Sequence, residues 1–302
     1  MNGTHEKRDE TPVQKDEIVR GTALDGMVWV IAARTTHLVE ELRRRHHTYP
    51  VATAALGRAA TAGAMMGAML KGEQKLTVQI KGNGPLGQIV VDANAHGEVR
   101  GYVRNAQVDL PLNAKGKLDV AGAIGTTGFL HVIKDLGMKE PYGGSSPLVS
   151  GELGEDFTYY FAQSEQTPSA VALGEMINPD ASVKAAGGLI VQLLPGLKDE
   201  QIGRLEQKLA ALPPITAMLD EGAALEEIAE RVVGPFAVLG KMQVHFHCNC
   251  SRERVEQALA SLGQEEVRQM LKQDGQAEVV CHFCHESYRF GPEQLQRIIA
   301  KL

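Results

Sequence analysis

Residues 75–105 read KLTVQIKGNGPLGQIVVDANAHGEVRGYVRN and contain three segments in which apolar and polar residues alternate. The segments cover residues 75–81, 87–93 and 98–105, with Gly-Asn-Gly-Pro and Asn-Ala-His-Gly between them. Alternation is typical of strands with one buried face, and short glycine-containing links are typical of turns between antiparallel neighbours. The stretch therefore predicts a β-meander and a β-sheet in the first half of the chain.

The first turn of this meander formally matches a nucleotide-binding motif. Gly82, Gly84 and Gly87 have the spacing G-x-G-x-x-G. In a dinucleotide site this loop opens a helix whose N-terminus faces the pyrophosphate. Here Pro85 is followed by the strand-like Gln-Ile-Val-Val of residues 88–91. We therefore expect a turn and no nucleotide site.

The stretch before the meander, residues 51–70, is rich in Ala, Gly and Met and contains Arg58. Its length and charge predict a buried core helix rather than a membrane span. Residues 18–42 contain the strand-like run MVWVIAA followed by a charged stretch. The triplet Arg43-Arg44-Arg45 follows Glu40 and Glu41, which favours a solvated helix face over a ligand site.

Residues 1–17 mix both signs of charge and lack an apolar run. This composition predicts a disordered tail, and it resembles neither a secretory signal nor a transit peptide. We expect a cytoplasmic protein. In that compartment thiols are kept reduced, and paired cysteines are more often metal ligands or redox centres than permanent disulfides.

The segment after the meander offers no defensible catalytic site. Residues 157–163 are rich in aromatic residues and predict a strand. Residues 164–169, Ser-Glu-Gln-Thr-Pro-Ser, suit the start of the next helix or strand. Because no nucleophile, base and orienting group can be assigned together, we expect no enzyme activity.

Residues 179–236 predict a helical linker. Pro213-Pro214 and Gly234-Pro235 mark the ends of two amphipathic helices. The apolar residues of each helix recur on one face. These residues are Ile202, Leu205, Leu209 and Leu212 in the first helix, and Leu225, Ile228, Ala229 and Val232 in the second. Each face must pack against another part of the protein.

The four cysteines of the chain form two close pairs near its end, Cys248-Asn-Cys250 and Cys281-His-Phe-Cys284. Two thiolates from each of two loops can complete a tetrahedral Cys₄ zinc site, with Zn–S bonds of about 2.3 Å. Such a closed shell leaves no position for water, so the metal would not be hydrolytic. The neighbouring histidines would lie outside the shell, although a mixed Cys/His shell stays open as an alternative. They are His245, His247, His282 and His285.

The predicted zinc could be a structural staple, since residues 237–302 are near the size at which a metal is often needed for folding. The Cys-x-Cys pair favours a second interpretation, because its two sulfurs can form a disulfide when the backbone brings them together. Oxidation would then remove the metal and unfold the segment. The linker would lose its packing partner, which suggests a redox-gated hydrophobic binding surface.

Charge and composition weaken two rival functions. A zinc-ribbon nucleic-acid module needs positive charge, but the net charge is −6 and residues 241–302 contain eight basic and eight acidic residues. Aromatic residues make up only 5% of the chain, which leaves few stacking platforms for single strands. A thiol–disulfide oxidoreductase could use Cys281 and Cys284, but no thioredoxin-like βαβ pattern surrounds them.

Three parts of the chain together resemble the 33 kDa redox-regulated heat-shock chaperone family, the bacterial 33 kDa chaperonin. They are residues 82–87, residues 160–169 with the sequence YFAQSEQTPS, and the two terminal cysteine pairs. The resemblance covers essentially the whole chain after the N-terminal tail. It implies an α+β fold with an N-terminal β-sheet domain and packed helices (18–178), a helical linker (179–236) and a small C-terminal zinc-binding domain (237–302).

The resemblance also implies a function and its residues. The expected protein is an ATP-independent holdase for unfolding clients in oxidative and heat stress, with no nucleic-acid or membrane partner. In the reduced, inactive form, one zinc ion would be held by Cys248, Cys250, Cys281 and Cys284. In the oxidised, active form, Cys248 would pair with Cys250, Cys281 would pair with Cys284, and the protein would form a homodimer.

Overall fold

The computed structural model describes residues 14–302, which form three sheets and ten helices. The strands are β1 Glu17–Ala23, β2 Val28–Arg34, β3 Lys75–Gly82, β4 Gln88–Asn94, β5 Glu98–Val103, β6 Gly128–Asp135, β7 Tyr142–Pro147, β8 Ser169–Ile177, β9 Val183–Leu193, β10 Ala237–Gln243, β11 His245–Phe246, β12 Ala277–Val280 and β13 Ser287–Phe290. The first sheet has the strand order β10-β1-β2-β9-β8, the second has the order β11-β5-β4-β3-β6-β7, and the third consists of β12 and β13. The helices are α1 Thr36–His46, α2 Pro50–Gly67, α3 Val120–Ile124, α4 Leu153–Gln163, α5 Asp199–Ala210, α6 Ile215–Asp220, α7 Leu225–Val233, α8 Arg252–Ser261, α9 Gln264–Gln273 and α10 Pro292–Lys301.

The meander predicted for residues 75–105 is confirmed. β3, β4 and β5 are consecutive antiparallel neighbours, and Val78 pairs with Val91, which in turn pairs with Gly101. Leu76, Val78 and Ile80 are at most 2% exposed, whereas the residues between them are less buried. The Gly82–Gly87 segment is the connection from β3 to β4, and a strand follows it rather than a helix.

Helix α2 lies between the two large sheets, as expected for a buried core helix. Met65 contacts the first sheet at Gly188, and Gly63 approaches Val91 of the second sheet. A Cβ atom at Gly63 would lie 2.8 Å from Val91 Cγ1, so only glycine permits this close approach. No described helix is long and apolar enough to cross a membrane.

The aromatic segment predicted as a strand is helical, and that prediction is wrong. Phe157, Tyr160 and Phe161 belong to α4, and all three are fully buried. Their spacing of three and four residues places them on one helical face. The burial of all three aromatic side chains on one helical face therefore outweighs the strand propensity of these residues.

The predicted tail is described only from residue 14, and residues 1–13 lie outside the described part. Its last residues are ordered by their contacts, contrary to the prediction. Glu17 begins β1, and Asp16 is 5% exposed. The Asp16 carboxylate accepts hydrogen bonds from the backbone N–H groups of His37 and Leu38, at 3.1 and 2.7 Å. Asp16 thus satisfies free donors in the first turn of α1.

Helices α5, α6 and α7 bury their apolar faces against the first sheet, which confirms the amphipathic pattern. The cluster includes Leu205 from α5, Met218 from α6 and Ile228 from α7. It also includes alternate residues of β2, Val28, Val30 and Ala32, while Ile31 and Ala33 face the other core. The predicted linker is not wholly helical, because β9 lies between β2 and β8 in the first sheet.

The last part of the chain extends both large sheets before it forms a core of its own. β10 pairs with β1, and β11 pairs in parallel with β5. Helices α8, α9 and α10 pack around the β12–β13 hairpin. This C-terminal core has seven buried hydrophobic residues, Val255, Leu259, Val267, Ala277, Phe290, Leu295 and Ile298. The structure confirms the α+β class.

Candidate metal centre

The two cysteine pairs lie in two loops of the C-terminal segment. Cys248 and Cys250 follow β11, and Ser251 then caps α8 by accepting a hydrogen bond from the Arg254 backbone N–H at 3.3 Å. Cys281 and Cys284 lie in the turn between β12 and β13. A helix cap and a hairpin therefore position the two loops.

The hairpin turn has a conformation that directs both of its cysteines toward the first pair. The Cys281 backbone N–H donates to Glu286 O at 3.0 Å, and the His285 N–H donates to Cys281 O at 2.9 Å. His285 has a φ of 58°, in the left-handed region that few residues other than glycine adopt. The turn thus closes tightly around residues 281–286.

The four sulfur atoms lie within 4.8 Å of one another. Cys248 Sγ is 3.9 Å from Cys281 Sγ, and Cys250 Sγ is 3.1 Å from Cys284 Sγ. Sulfur atoms at the corners of a tetrahedron with Zn–S bonds of about 2.3 Å would be about 3.8 Å apart. All four cysteines are free of disulfides. The donor type, number and spacing therefore fit one zinc ion.

Neighbouring groups shift the pKa values of the Cys248, Cys250 and Cys284 thiols in different directions. Burial raises the pKa of the Cys248 thiol, but hydrogen bonds from the Cys250 backbone and from Arg100 outweigh this effect, so its pKa lies below the usual value. Burial raises the pKa of Cys250 and of Cys284. A coordinated divalent cation deprotonates its thiol ligands outright. The cysteines could thus all become thiolates around zinc despite their burial.

Tyr288 adds a polar contact at the edge of the cluster. Its hydroxyl donates to Cys250 Sγ at 3.1 Å, and this hydrogen bond raises the pKa of Tyr288 well above its usual value. Tyr288 belongs to β13, which pairs it with Val279 of β12. A hydrogen bond to a ligand sulfur orients the ligand and reduces its electron density.

The cysteine loops rest on the meander of the second sheet through Arg100 of β5. Its guanidinium donates to Cys248 Sγ at 3.5 Å and lies 4.1 Å from the centre of the Phe283 ring. Asp92 of β4 accepts from the same guanidinium at 2.8 Å and holds it in place. Tyr102 packs edge-on against Phe283, with ring centres 5.1 Å apart. One residue of the meander therefore contacts both cysteine loops.

Helix α1 provides the second contact between the cysteine loops and the rest of the protein. Arg45 donates to Cys284 O at 3.2 Å, and His46 Nε2 lies 3.1 Å from Phe283 O. Burial lowers the pKa of His46 to about 4. His46 is therefore neutral at pH 7, and its Nε2–H donates to the carbonyl. The interpretation of Arg43-Arg44-Arg45 as a wholly solvated face is wrong for Arg45.

The four nearby histidines take separate positions. The His285 ring packs edge-on against the His46 ring, with the ring centres 4.5 Å apart. The ring centres of His282 and Tyr102 are 5.8 Å apart. His245 and His247 lie together with Glu98. Within residues 14–302, the metal-binding group that contains the four sulfurs consists of cysteines alone.

Sequence reasoning did not find Arg45, His46, Arg100 or Tyr102. Arg45 and Arg100 are separated from their cysteine partners by 239 and 148 residues. No local pattern marks such contacts, because they depend on how the segments meet in three dimensions.

The fold and the cysteine cluster first define a class: an α+β protein with two large sheets around a buried helix and a four-cysteine centre near its C-terminus. Residues 16–291 match the family model described as "Hsp33 protein". The chain therefore belongs to the Hsp33 protein family. This confirms the family resemblance found in the sequence.

Curated relatives and a solved structure agree with the family. A protein of Bacillus cereus named "33 kDa chaperonin" is 52% identical over 290 residues, which cover 95% of this chain and 100% of the relative. A "33 kDa chaperonin" of Geobacillus kaustophilus is also 52% identical, and the matched region covers 94% of this chain and 97% of that relative. The crystal structure of the 33 kDa chaperonin of Thermotoga maritima has a TM-score of 0.90 and 39% identity, with 95% of this chain and 99% of that chain covered.

Proposed function

We propose that this protein is a redox-regulated, ATP-independent holdase of the cytoplasm. It binds unfolding proteins under oxidative and heat stress and prevents their aggregation. The observation that carries the proposal is the convergence of all four cysteine sulfurs within 4.8 Å in a member of the Hsp33 family. The chaperonin names of its relatives support the same class of activity.

In the reduced state, Cys248, Cys250, Cys281 and Cys284 hold one zinc ion and the protein is inactive. The bound ion supplies folding free energy, roughly 10–16 kcal/mol in small zinc-dependent peptides. The C-terminal core alone has seven buried hydrophobic residues, few enough for the metal to matter. Arg100, Arg45 and His46 hold the loaded loops against the second sheet and α1.

Oxidation removes the ligands of the metal. A Cys248 or Cys250 thiolate attacks peroxide to form a sulfenic acid, and the departing hydroxide takes a proton from solvent to give one water. The second thiolate then attacks that sulfur to form the disulfide and displaces a second hydroxide, which is also protonated by solvent to water. Cys281 and Cys284 react in the same way with a second peroxide. Each peroxide accepts two electrons, so two disulfides account for two peroxides and four waters.

The disulfides replace only a small part of the lost stabilisation. For loops of three and four residues, loop closure contributes about 1.5–2 kcal/mol per disulfide. Neither disulfide joins the first loop to the second. The C-terminal unit, which consists of the cysteine loops, α8, α9, α10 and the β12–β13 hairpin, therefore unfolds. Its contacts with Arg100, Arg45 and His46 are lost.

Client binding follows from the apolar surface that unfolding exposes. Phe283, Phe290 and Leu295 lose their partners when the C-terminal core opens. Residues 237–243 form β10, the edge strand that pairs with β1. Loosening of this strand also weakens the first sheet, against which α5 to α7 pack. Exposed apolar surface binds the exposed apolar surface of unfolding proteins, and it also favours a homodimer of the oxidised form.

The proposal is tested by light scattering from a heat-unfolding client protein. The reduced, zinc-loaded protein should leave aggregation unchanged, and the peroxide-treated, zinc-depleted protein should suppress it. Reduction of the oxidised sample with excess thiol and zinc should reverse the effect. Equal suppression by both forms, or none by either, would make the cysteine centre a structural staple, and turnover of a disulfide substrate would favour an oxidoreductase.

A further inference from the structure

A second group of possible metal ligands lies beside the cysteine loops, on β11 and β5. The His245 backbone N–H donates to Gly97 O and the His247 N–H donates to Val99 O, both at 3.0 Å. These bonds pair β11 in parallel with β5, and His245 is opposite Glu98 in the register. The backbone therefore determines which side chains are neighbours.

Alternation along the two strands places three polar side chains on one face. Phe246 and Val99 are paired and both pack in the main core. Their sequence neighbours Glu98, His245 and His247 therefore point to the opposite, outer face. The His247 and Glu98 side chains are 44% and 30% exposed, so solvent reaches both.

The ligand atoms of this group converge. One nitrogen from each imidazole and one carboxylate oxygen lie within 4.8 Å of one another, and His247 Nε2 is 3.9 Å from Glu98 Oε1. Ligands of a tetrahedral zinc with bonds of about 2.0–2.1 Å are about 3.4 Å apart. Small rotations of exposed side chains close this gap. Asn94 Nδ2 donates to the other Glu98 oxygen at 2.7 Å and orients the carboxylate.

We propose that Glu98, His245 and His247 form a second metal site, separate from the four cysteines, for a divalent transition-metal cation such as Zn²⁺ or Ni²⁺. Imidazole nitrogen and carboxylate oxygen suit these ions, and three protein ligands leave a further position for water. Its affinity is lower than that of the four thiolates, because it offers fewer ligands and both imidazoles are exposed.

A simple ion pair between His247 and Glu98 does not account for this arrangement. At 3.9 Å on the surface such a pair contributes at most about 1 kcal/mol, and only when the histidine is protonated. The pair also leaves unexplained why the second imidazole, His245, has a nitrogen close to the same carboxylate.

The surroundings can accommodate a hydrated cation. Glu98 and His247 line a surface cavity of about 220 Å³. The basic side chains at this cavity already have partners: Arg100 pairs with Asp92, which also lines the cavity, and Lys75 pairs with Asp135 at 3.5 Å. Arg254 donates to Asn249 O at 3.0 Å. These pairings reduce the repulsion that a cation would meet.

Occupation of this site would join β11 to β5 immediately before Cys248. The parallel pairing there covers only two residue pairs, so an added metal link is a large part of its strength. The second site would therefore anchor the segment that leads into the cysteine centre. This proposal does not depend on chaperone activity.

Calorimetric titration of the reduced, full-length protein tests the site. The protein is loaded with zinc, passed through a gel-filtration column to remove loose metal, and titrated with ZnCl₂. We expect one additional equivalent beyond the zinc that survives the column. The double variant His245→Ala/His247→Ala should lack this equivalent, and Glu98→Gln should weaken it by at least about tenfold.

His96→Ala is the matched control, because His96 is also exposed and lies 3.3 Å from a carboxylate, that of Glu73. This variant should keep the additional equivalent. Every variant should keep the zinc that survives gel filtration, which shows that the cysteine centre is intact. The proposal is overturned if the wild type takes up no additional zinc, if the double variant takes it up unchanged, or if His96→Ala abolishes it as well.

Discussion

Arg100 is the residue that contacts both cysteine loops, through Cys248 Sγ in the first and the Phe283 ring in the second. Glutamine at this position would remove the cation–π contact and the positive charge beside the sulfur. Both losses favour oxidation, because the loops are held less firmly and the ligand sulfur becomes more electron-rich. We expect Arg100→Gln to release zinc about 2- to 5-fold faster under peroxide, which corresponds to about 0.5–1 kcal/mol.

A chromogenic zinc chelator follows this release directly. Arg104→Gln is the control, since Arg104 is an exposed arginine just beyond the end of the same strand, β5. It should release zinc at the wild-type rate. Equal rates for Arg100→Gln and the wild type would mean that Arg100 does not restrain the loops.

Asp16 acts at a different place, where the chain enters β1 and α1 begins. Its buried carboxylate accepts from two backbone N–H groups of α1. Asp16→Ala leaves these donors without their partner, and we expect the free energy of unfolding to fall by about 0.5–2 kcal/mol. Urea unfolding measures the loss. Asp109→Ala, at an exposed position, should stay within about 0.5 kcal/mol of the wild type.

At the scale of elements, α2 and β8 meet where Arg58 contacts the buried side chain of Glu175. The Glu175 side chain is 0% exposed and lies 3.1 Å from Arg58 Nε. Burial raises the pKa of Glu175 to about 8, although Arg58 opposes the shift. In the unfolded chain the pKa of this carboxyl group has its ordinary value of 4.5. At a pH between these two pKa values, Glu175 therefore carries a proton in the folded protein and has lost it in the unfolded chain.

A raised carboxyl pKa makes the folded state less stable as pH increases through this window. Between about pH 5 and pH 8, the melting temperature of the wild type should therefore fall more than that of Glu175→Gln, which has no titrating group here. Differential scanning calorimetry at both pH values measures the two slopes. The exposed Glu155→Gln should keep the wild-type slope, and parallel slopes for wild type and Glu175→Gln would contradict the assignment.

At the scale of the whole molecule, the C-terminal unit differs in how it is stabilised from the body of the protein, which consists of the two large sheets and the helices packed on them. The body has two extensive cores on either face of the first sheet, whereas the C-terminal unit has one small core. Chelation of zinc from the reduced protein should therefore unfold α8, α9 and α10 and leave β3 to β5 intact. The expected loss is large, because structural zinc contributes roughly 10–16 kcal/mol in small domains.

Hydrogen exchange resolved by peptide tests this difference. After chelation, residues 252–301 should lose protection while residues 75–103 retain it, and added zinc should restore the original pattern. Uniform exchange throughout the chain would show that the two units unfold together. Unchanged protection of residues 252–301 would show that the small core is sufficient without metal.

The sequence by itself determined the features that repeat locally. Alternation predicted β3, β4 and β5, the small-residue run predicted α2, and the apolar faces of α5 and α7 predicted a packing partner. The cysteine pairs predicted a cluster, because their number and spacing match a tetrahedral shell. These patterns are readable because helix and strand periods relate a side chain to its own near neighbours.

Only the tertiary structure decided the features that depend on contacts between segments far apart in the sequence. Phe157, Tyr160 and Phe161 form a helix because that shape buries all three, and Asp16 is ordered because α1 supplies its donors. Arg45 and Arg100 reach the cysteine loops across 239 and 148 residues. The physical reason is that burial and hydrogen bonding are satisfied by the whole fold, so the partner of a polar side chain can lie anywhere in the chain.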